Sequence, residues 1–364
     1  MKVACSYNPL FLDNSLPINK NVQLIELGME AYHHIFSNKS HELSQSYSRS
    51  LSLHLARSPI AEDEFHQDAF IKEKLLPIHA DDKIISIGFH LSGSRYENIG
   101  KFGLTSHYKA SKVIESNCIR FINEVEKQTK KEVWIENANF YSENLTEIIE
   151  NWRSVARILE SSNAKLIVDI SHLIIDCVNI GVSPEIFIGC INWDRVAEIH
   201  LSGIVTGKDG ALHDGHGNAV DSRAWEFFNK ILKLNLLNNN AFINIEHSES
   251  SWKNNIETYQ EDFLKLKTLI DNYQKIKNHS ERYAKSETYA ISYIKKTLYS
   301  QIKNYQYICQ SLNKNEDDIF DEWLNYTFSN YKRISLSKSE IDSAMESDCV
   351  YILDSFIEFV ENIQ

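Results

Sequence analysis

No stretch of this sequence approaches the ~18 apolar residues that a membrane-spanning helix needs. The N-terminus, Met1-Lys2-Val3-Ala4-Cys5-Ser6, lacks the long apolar segment of a signal peptide and reads as a strand. Cysteine is sparse and scattered. Cys5, Cys118, Cys177, Cys190, Cys309 and Cys349 form no Cys-x-x-Cys pair, which suits buried thiols in a reducing compartment. Basic charge is short as well: 38 Lys and Arg stand against 50 Asp and Glu, a formal net charge of −12. That balance weighs against a protein that tracks a nucleic-acid backbone. There is no Gly-rich loop of the phosphate-cradling kind and no Gly-x-Ser-x-Gly elbow. Glycine is missing altogether from Asp271 to the end. These absences point to a cytoplasmic globular protein that binds neither membrane nor nucleic acid.

What is present is enough apolar residue, 43%, for a sizeable core. Eight short β-type runs are visible: Lys2–Ser6, Gln23–Leu27, Leu51–His54, Ile84–Phe89, Glu132–Glu136, Lys165–Asp169, Val196–His200 and Phe242–Glu246. They are rich in Val, Ile and Leu, as parallel strands buried on both faces are. Helical spacing fills several of the gaps. Tyr108–Lys127 aligns Val113, Ile114, Cys118, Phe121, Ile122 and Val125, and Leu145–Leu159 aligns Ile148, Ile149, Trp152, Val155, Ala156 and Leu159. Ser222–Leu236 does the same with Trp225, Phe227, Phe228, Ile231 and Leu232, whereas Tyr7 to Val22 is too short for a full helix. Eight alternations of strand and helix over residues 1–270 predict an α/β fold, a (β/α)8 TIM barrel of xylose-isomerase-like type.

A barrel places functional groups at the C-terminal ends of its strands. His54, Glu136, Asp169, His200 and Glu246 each end a run, and His90 directly follows one. Leu212-His213-Asp214-Gly215-His216-Gly217 adds Asp214 and His216 in the loop after the seventh run. Imidazole and carboxylate are the usual ligands of Fe, Mn or Zn, so the residues by themselves predict a metal cluster at the barrel mouth. His172, three residues past Asp169, is expected to face the metals, and His247 to stand behind Glu246. His213 is expected to point away. His33, His34, His41, His66, His79, His107 and His279 lack strand-end placement and read as surface residues.

Residues 271–364 have a different character. Ile291, Ile294, Leu298, Ile302, Tyr305, Ile308 and Leu312 form a helical stripe. A second helix is expected over 317–328, and Ser337-Lys338-Ser339-Glu340 has the pattern of a capping box opening a third. The expectation is an all-helical C-terminal extension, either a cap on the barrel or a docking surface for a peptide or protein.

Taken together, Leu51-Ser52-Leu53-His54, Gly88-Phe89-His90, Ile135-Glu136-Asn137, Val168-Asp169-Ile170-Ser171-His172, Glu198-Ile199-His200-Leu201-Ser202-Gly203, Asp214-Gly215-His216-Gly217 and Ile245-Glu246 resemble the motifs of the DUF692 family, the multinuclear non-haem iron-dependent oxidative enzymes. The resemblance covers residues 1–270. It implies a barrel holding two or three irons in a mixed Fe(II)/Fe(III) state. With O2 as co-substrate, such enzymes modify ribosomally made precursor peptides, commonly at cysteine and sometimes at aspartate or asparagine. It also implies that His54, His90, Glu136, Asp169, His200, Asp214, His216 and Glu246 are iron ligands. Glu136 would be suited to bridge two metals, and Asn137 would orient a ligand or the substrate. Many relatives carry Asn where this chain has His172. Many members also work with a separate partner protein that recruits the precursor, an arrangement that the extension modifies or replaces. Two other classes share the architecture and ligand types: redox-silent sugar isomerases and endonuclease-IV-type zinc enzymes. Metal storage or a peptide chaperone is the non-enzymatic alternative.

Overall fold

The eight β-runs become eight parallel strands because their side chains are buried on both faces. The computed structural model describes residues 1–38, 49–78, 81–93, 107–208 and 210–280. The strands are β1 (Lys2–Ser6), β2 (Val22–Leu27), β3 (Ser50–Leu55), β4 (Ile84–His90), β5 (Glu132–Glu136), β6 (Lys165–Asp169) and β7 (Val196–Leu201), with β10 (Phe242–Ile245) as the eighth. They close into one barrel in the order β1-β10-β7-β6-β5-β4-β3-β2. The predicted (β/α)8 barrel is therefore observed. Strand ends move by a residue or so, and Glu246 lies just past β10 instead of closing it. Between β7 and β10 an antiparallel hairpin, β8 (Ile204–Thr206) and β9 (Leu212–Asp214), rises from the mouth.

Alternation along each strand divides the side chains between two environments. The outward set, including Cys5, Ile25, Leu53, Phe89, Ile135, Val168, Ile199 and Ile243, is fully buried beneath the helices. The inward set begins with an apolar plug of Ala4, Leu24, Trp134, Ile167 and Phe242. Above the plug the same inward positions turn polar: Ser6, Glu26, Ser52, Ser86, Glu198 and Asn244, then the strand-end imidazoles and carboxylates. The plug fills the lumen beneath these polar groups, which lie towards the C-terminal mouth.

The helices among the described residues are α1 (Met29–Asn38), α2 (Glu64–Phe70), α3 (Lys112–Thr129), α4 (Leu145–Glu160), α5 (Ile170–Asn179), α6 (Ser222–Lys233) and α7 (Ile256–Ser280). Their starts follow from capping chemistry. Ser111 accepts from the Ile114 amide, Asn144 from Glu147 and Asp221 from Arg223. Helix α3 begins at Lys112, four residues after the expected Tyr108, because Ser111 intervenes as its cap; Lys130 at φ 58° ends it. The first crossover carries only a single turn, Pro9–Phe11, as its length required. Residues 1–180 with 192–273 form one compact unit, the barrel, and of the other described residues 181–191 and 274–280 are separate from it. Helix α7 runs through the boundary expected at residue 270, and Tyr273 on it is buried and hydrogen-bonds Asn235. The helices expected beyond residue 280 lie outside the described residues. None of the described helices is long and apolar enough to cross a membrane.

Candidate metal centre

Glu136 ends β5 almost completely buried, and imidazoles surround it. Its Oε2 lies 2.8 Å from His54 Nε2, 3.3 Å from His90 Nε2 and 3.7 Å from His200 Nδ1. Its Oε1 lies 3.1 Å from His172 Nδ1. Around this carboxylate the mouth gathers the remaining strand-end groups. His200 Nδ1 is 3.3 Å from Glu246 Oε1, His216 Nε2 is 2.7 Å from Asp214 Oδ2, and His172 Nε2 is 3.5 Å from Asp214 Oδ2. All eight residues singled out as metal ligands thus share one constellation with His172.

Local structure explains how each is aimed. Asp169 is the last residue of β6 and the cap of α5: its Oδ1 accepts from the His172 amide at 2.7 Å, leaving Oδ2 towards the centre. Asn137 spends its side-chain amide on Asp169, accepting from its N–H and donating to its C=O, each at 2.9 Å. It therefore holds a strand end in place and faces the β6 backbone instead of a substrate. Ser202 Oγ donates to Asp214 Oδ1 at 3.0 Å. Gly203 lets the hairpin loop approach, since a Cβ there would sit 2.6 Å from the Gly215 carbonyl oxygen. Gly88 leaves room for His54, whose Nδ1 would lie 2.9 Å from a Cβ at that position.

The donor set fits metal ions. Both Glu136 oxygens, Asp169 Oδ2, His54 Nε2, His200 Nδ1, His216 Nε2 and Glu246 Oε2 are buried, yet none forms a hydrogen bond of good geometry. Nitrogens and oxygens that lie in ion-pair contact, yet are misaligned for hydrogen bonds, converge on shared points in space, as ligands of an ion do. Three overlapping groups have ligand atoms within 4.8 Å of each other: Glu26, His54 and His200; His54, His90 and Glu136; Glu136, Asp169 and His200. Thiolates are absent from these groups, and the mixture of imidazole and carboxylate suits Fe, Mn or Zn.

Protons balance the charge when no ion does. Burial lowers the pKa of His54, but the carboxylates of Glu26 and Glu136 outweigh it and lift the ring to about 9. His216 is likewise lifted against burial, to about 10, by Asp214 and Glu246. Burial would raise Glu136, yet His90, His54 and His200 hold it well below the usual carboxylate range. Asp169 goes the other way: burial, reinforced by Glu246, Glu136 and Asp214, pushes it well up against the pull of His172. His90 is dominated by burial and falls to about 3.

Other histidines are accounted for elsewhere. His66 pairs with Asp63, His107 lies 2.9 Å from Glu147, and His33 is exposed. His213 alternates with Asp214 on β9 and takes the opposite face. His41 and His79, and the side chains of His34 and His279, lie outside what is described. His247 does stand behind the centre: its Nε2 is 2.9 Å from Asp262 Oδ2 and its ring stacks on Trp252 at 3.9 Å. Trp252 in turn donates to the His216 carbonyl at 2.7 Å, and Ser248 Oγ lies 3.1 Å from His216 Nδ1. Sequence reasoning missed Ser248, Trp252 and Asp262, and also two buried lumenal carboxylates, Glu26 and Glu198. The signal for the last two was partial: each is a charged residue within a strand otherwise apolar enough to be buried, but which face it takes is settled only by the parity of the strand in the closed barrel.

Fold and donor set together define a (β/α)8-barrel protein with a candidate multinuclear metal site. The model of one family, described as RiPP precursor modification enzyme MbnB/TglH/ChrH, matches residues 11–254, and this chain belongs to that family, the DUF692-type proteins whose motifs its strand ends resemble. A UPF0276 protein of Acaryochloris marina is 25% identical over 187 residues, 50% of this chain and 63% of that protein. A UPF0276 protein of Neisseria meningitidis serogroup C is 31% identical over 111 residues, 29% of this chain and 39% of that protein. The chain thus spans less than two thirds of the length of these relatives. Among solved structures, L-ribulose 3-epimerase is similar at TM-score 0.49 and 10% identity, covering 79% of this chain and all of that one. D-psicose 3-epimerase from Clostridium cellulolyticum H10 is similar at TM-score 0.46 and 13% identity, covering 76% and 99%. Neither bears on the chemistry of this chain.

Proposed function

We propose that this protein is a multinuclear non-haem iron enzyme that uses O2 to modify a residue of a ribosomally made precursor peptide, cysteine first and aspartate or asparagine next. The observation that carries the reading is the two-sided environment of Glu136. Its Oε2 lies within 3.7 Å of His54, His90 and His200 while its Oε1 faces His172, and it belongs to two overlapping ligand groups, one with His54 and His90 and one with Asp169 and His200. His54, His90 and Glu136 would hold one iron, and Glu136, Asp169, His200 and Glu246 a second. Asp214, between His216 at 2.7 Å and His172 at 3.5 Å, would serve a third. Iron bound there supplies one-electron redox chemistry with O2, which no side chain in the barrel can perform.

The protein's part is to hold, orient and exclude water. Glu136, Asp169 and His200 are at most 1% exposed, whereas Asp214 and His216 are 26% and 28% exposed. The peptide therefore enters over the β8–β9 hairpin, and the residue to be modified meets the deep groups from that side. The extension over 271–364 serves as cap or as docking surface for the precursor or a partner protein, the two roles that its length and composition allow. Metal analysis of anaerobically purified protein, followed by O2 uptake with the peptide encoded beside the gene, tests the reading. Two or three irons per chain and peptide-dependent O2 consumption are expected. Stoichiometric zinc with full activity in the absence of iron would overturn it in favour of a redox-silent barrel enzyme.

A further inference from the structure

Beneath the proposed ligands lies a carboxylate that none of the strand-end motifs contains. Glu26, on β2, is 4% exposed and points into the lumen. Its Oε1 accepts from Asn244 Nδ2 at 3.1 Å, which fixes the carboxylate's orientation. Its Oε2 sits 3.4 Å from His54 Nδ1 and 3.4 Å from His200 Nε2. One oxygen therefore stands between two rings that belong to different ligand groups. In both rings it meets the nitrogen on the side away from Glu136: the other nitrogens, His54 Nε2 and His200 Nδ1, face Glu136.

We propose that Glu26 is a positioning residue that sets the tautomers of His54 and His200 together, so that each presents an unprotonated nitrogen to the metal centre. An imidazole that binds a metal through one nitrogen carries its proton on the other, and an acceptor placed at that second nitrogen selects the tautomer and the ring angle. His54 would keep its proton on Nδ1 and His200 on Nε2, both aimed at Glu26. The 3.4 Å separations are longer than a formed hydrogen bond and close on a small rotation of either ring. Gly88 keeps the Nδ1 side of His54 clear for that rotation. Around His200 Nε2 the groups are Glu26, Glu198 Oε1 at 3.8 Å and Asn244 Nδ2 at 3.5 Å. Glu26 accepts there, and the two N–H groups of Asn244 are directed at Glu26 Oε1 and Ser6 Oγ, so a proton on Nε2 is the arrangement that satisfies the set.

The alternative occupant of this corner is an additional ion held by Glu26, His54 and His200. It would require both nitrogens of both rings to bind metal, which removes every ring proton. The two cases differ in an observable.

The inference rests on a metal being held at the centre, but not on that metal being iron or on the peptide chemistry. Zinc is therefore the probe: the full-length protein is loaded with zinc, and ring 15N–1H resonances, zinc stoichiometry and zinc affinity are measured. Slowly exchanging Nδ1–H of His54 and Nε2–H of His200 are expected in the wild type. Glu26→Ala should lose both signals and bind zinc about 10–100-fold more weakly at unchanged stoichiometry. Glu26→Gln, whose amide oxygen still accepts, should fall between. Absence of both ring protons in the wild type, or a stoichiometry one lower in the variants, would overturn the positioning role in favour of an extra ion. Unchanged zinc affinity in both variants would also overturn it. The wild-type spectrum decides the matter even if Glu26→Ala fails to fold. A wild-type protein that takes up no zinc overturns the metal centre, and the role of Glu26 with it.

Discussion

Glu136 shows how much a single side chain can be asked to do in a barrel mouth. One of its oxygens faces His54, His90 and His200 and the other faces His172, and replacing one oxygen by an amide nitrogen keeps the shape while removing the charge. Glu136→Gln is therefore expected to fold and to lose at least one equivalent of iron, measured on anaerobically loaded protein. His33→Ala, at an exposed position on α1, should leave iron content unchanged. Gly88 makes the complementary point about space. Gly88→Ala puts a methyl group 2.9 Å from His54 Nδ1 and 3.1 Å from Ile167 Cδ1, between a proposed ligand and the apolar plug. Overpacking of this kind costs about 1–3 kcal/mol, visible in thermal denaturation, and the displaced ring should lower metal affinity as well.

Elements aim these residues, and the junction of β6 with α5 does so with least material. Asp169 is at once a strand end, a helix cap and a proposed ligand. Asparagine caps helices as well as aspartate does and is neutral, as burial already drives the Asp169 carboxyl to be in the metal-free protein, so Asp169→Asn should keep α5 intact and leave that protein about as stable. Asp169→Ala should cost about 1 kcal/mol more through loss of the cap. Both should bind less metal. Comparison of melting curves with metal content separates the structural role from the ligand role. The same logic explains why the turn after β10 matters: Ser248 and Trp252 grip His216 at its Nδ1 and its carbonyl.

At the scale of the whole molecule, charge and domain organisation make two predictions. His54 and His216 are raised from 6.5 to about 9 and about 10 in the folded, metal-free protein. A raised pKa contributes stability that is fully present below about 6.5 and is lost as pH rises through 9–10. The elevated Asp169 acts with the same sign, since its ionisation in the folded state is disfavoured. The melting temperature of the metal-free protein should therefore fall from pH 6.5 to pH 10. Metal affinity should rise over the same window, because ions no longer displace ring protons. The second prediction concerns the extension. Every proposed ligand precedes residue 250, but Tyr273 is buried and bonded to Asn235, so a cut at Asp271 would damage the barrel. A chain ending after Ser280 should still load iron, and should bind its precursor peptide or partner more weakly. Calorimetric titration of both lengths with the cognate peptide checks this; equal affinity would make the extension a cap.

Sequence alone determined the barrel, because buried parallel strands are apolar at nearly every position and the gaps between them show helical spacing. It also picked out the strand-end histidines and carboxylates, since a barrel brings those ends to one mouth whatever the details of packing. Three things were decided only by tertiary structure. Asn137 has a side chain free to serve substrate or backbone until β6 is laid beside it and consumes both its polar atoms. Glu26 and Glu198 look like ordinary strand residues until the parity of each strand is known, and a one-residue slip would turn them outward. His54 and His200 each offer two nitrogens, and nothing local selects one. The selection belongs to a carboxylate that lies 28 residues before one ring and 174 before the other in the chain, brought within 3.4 Å of both by closure of the barrel.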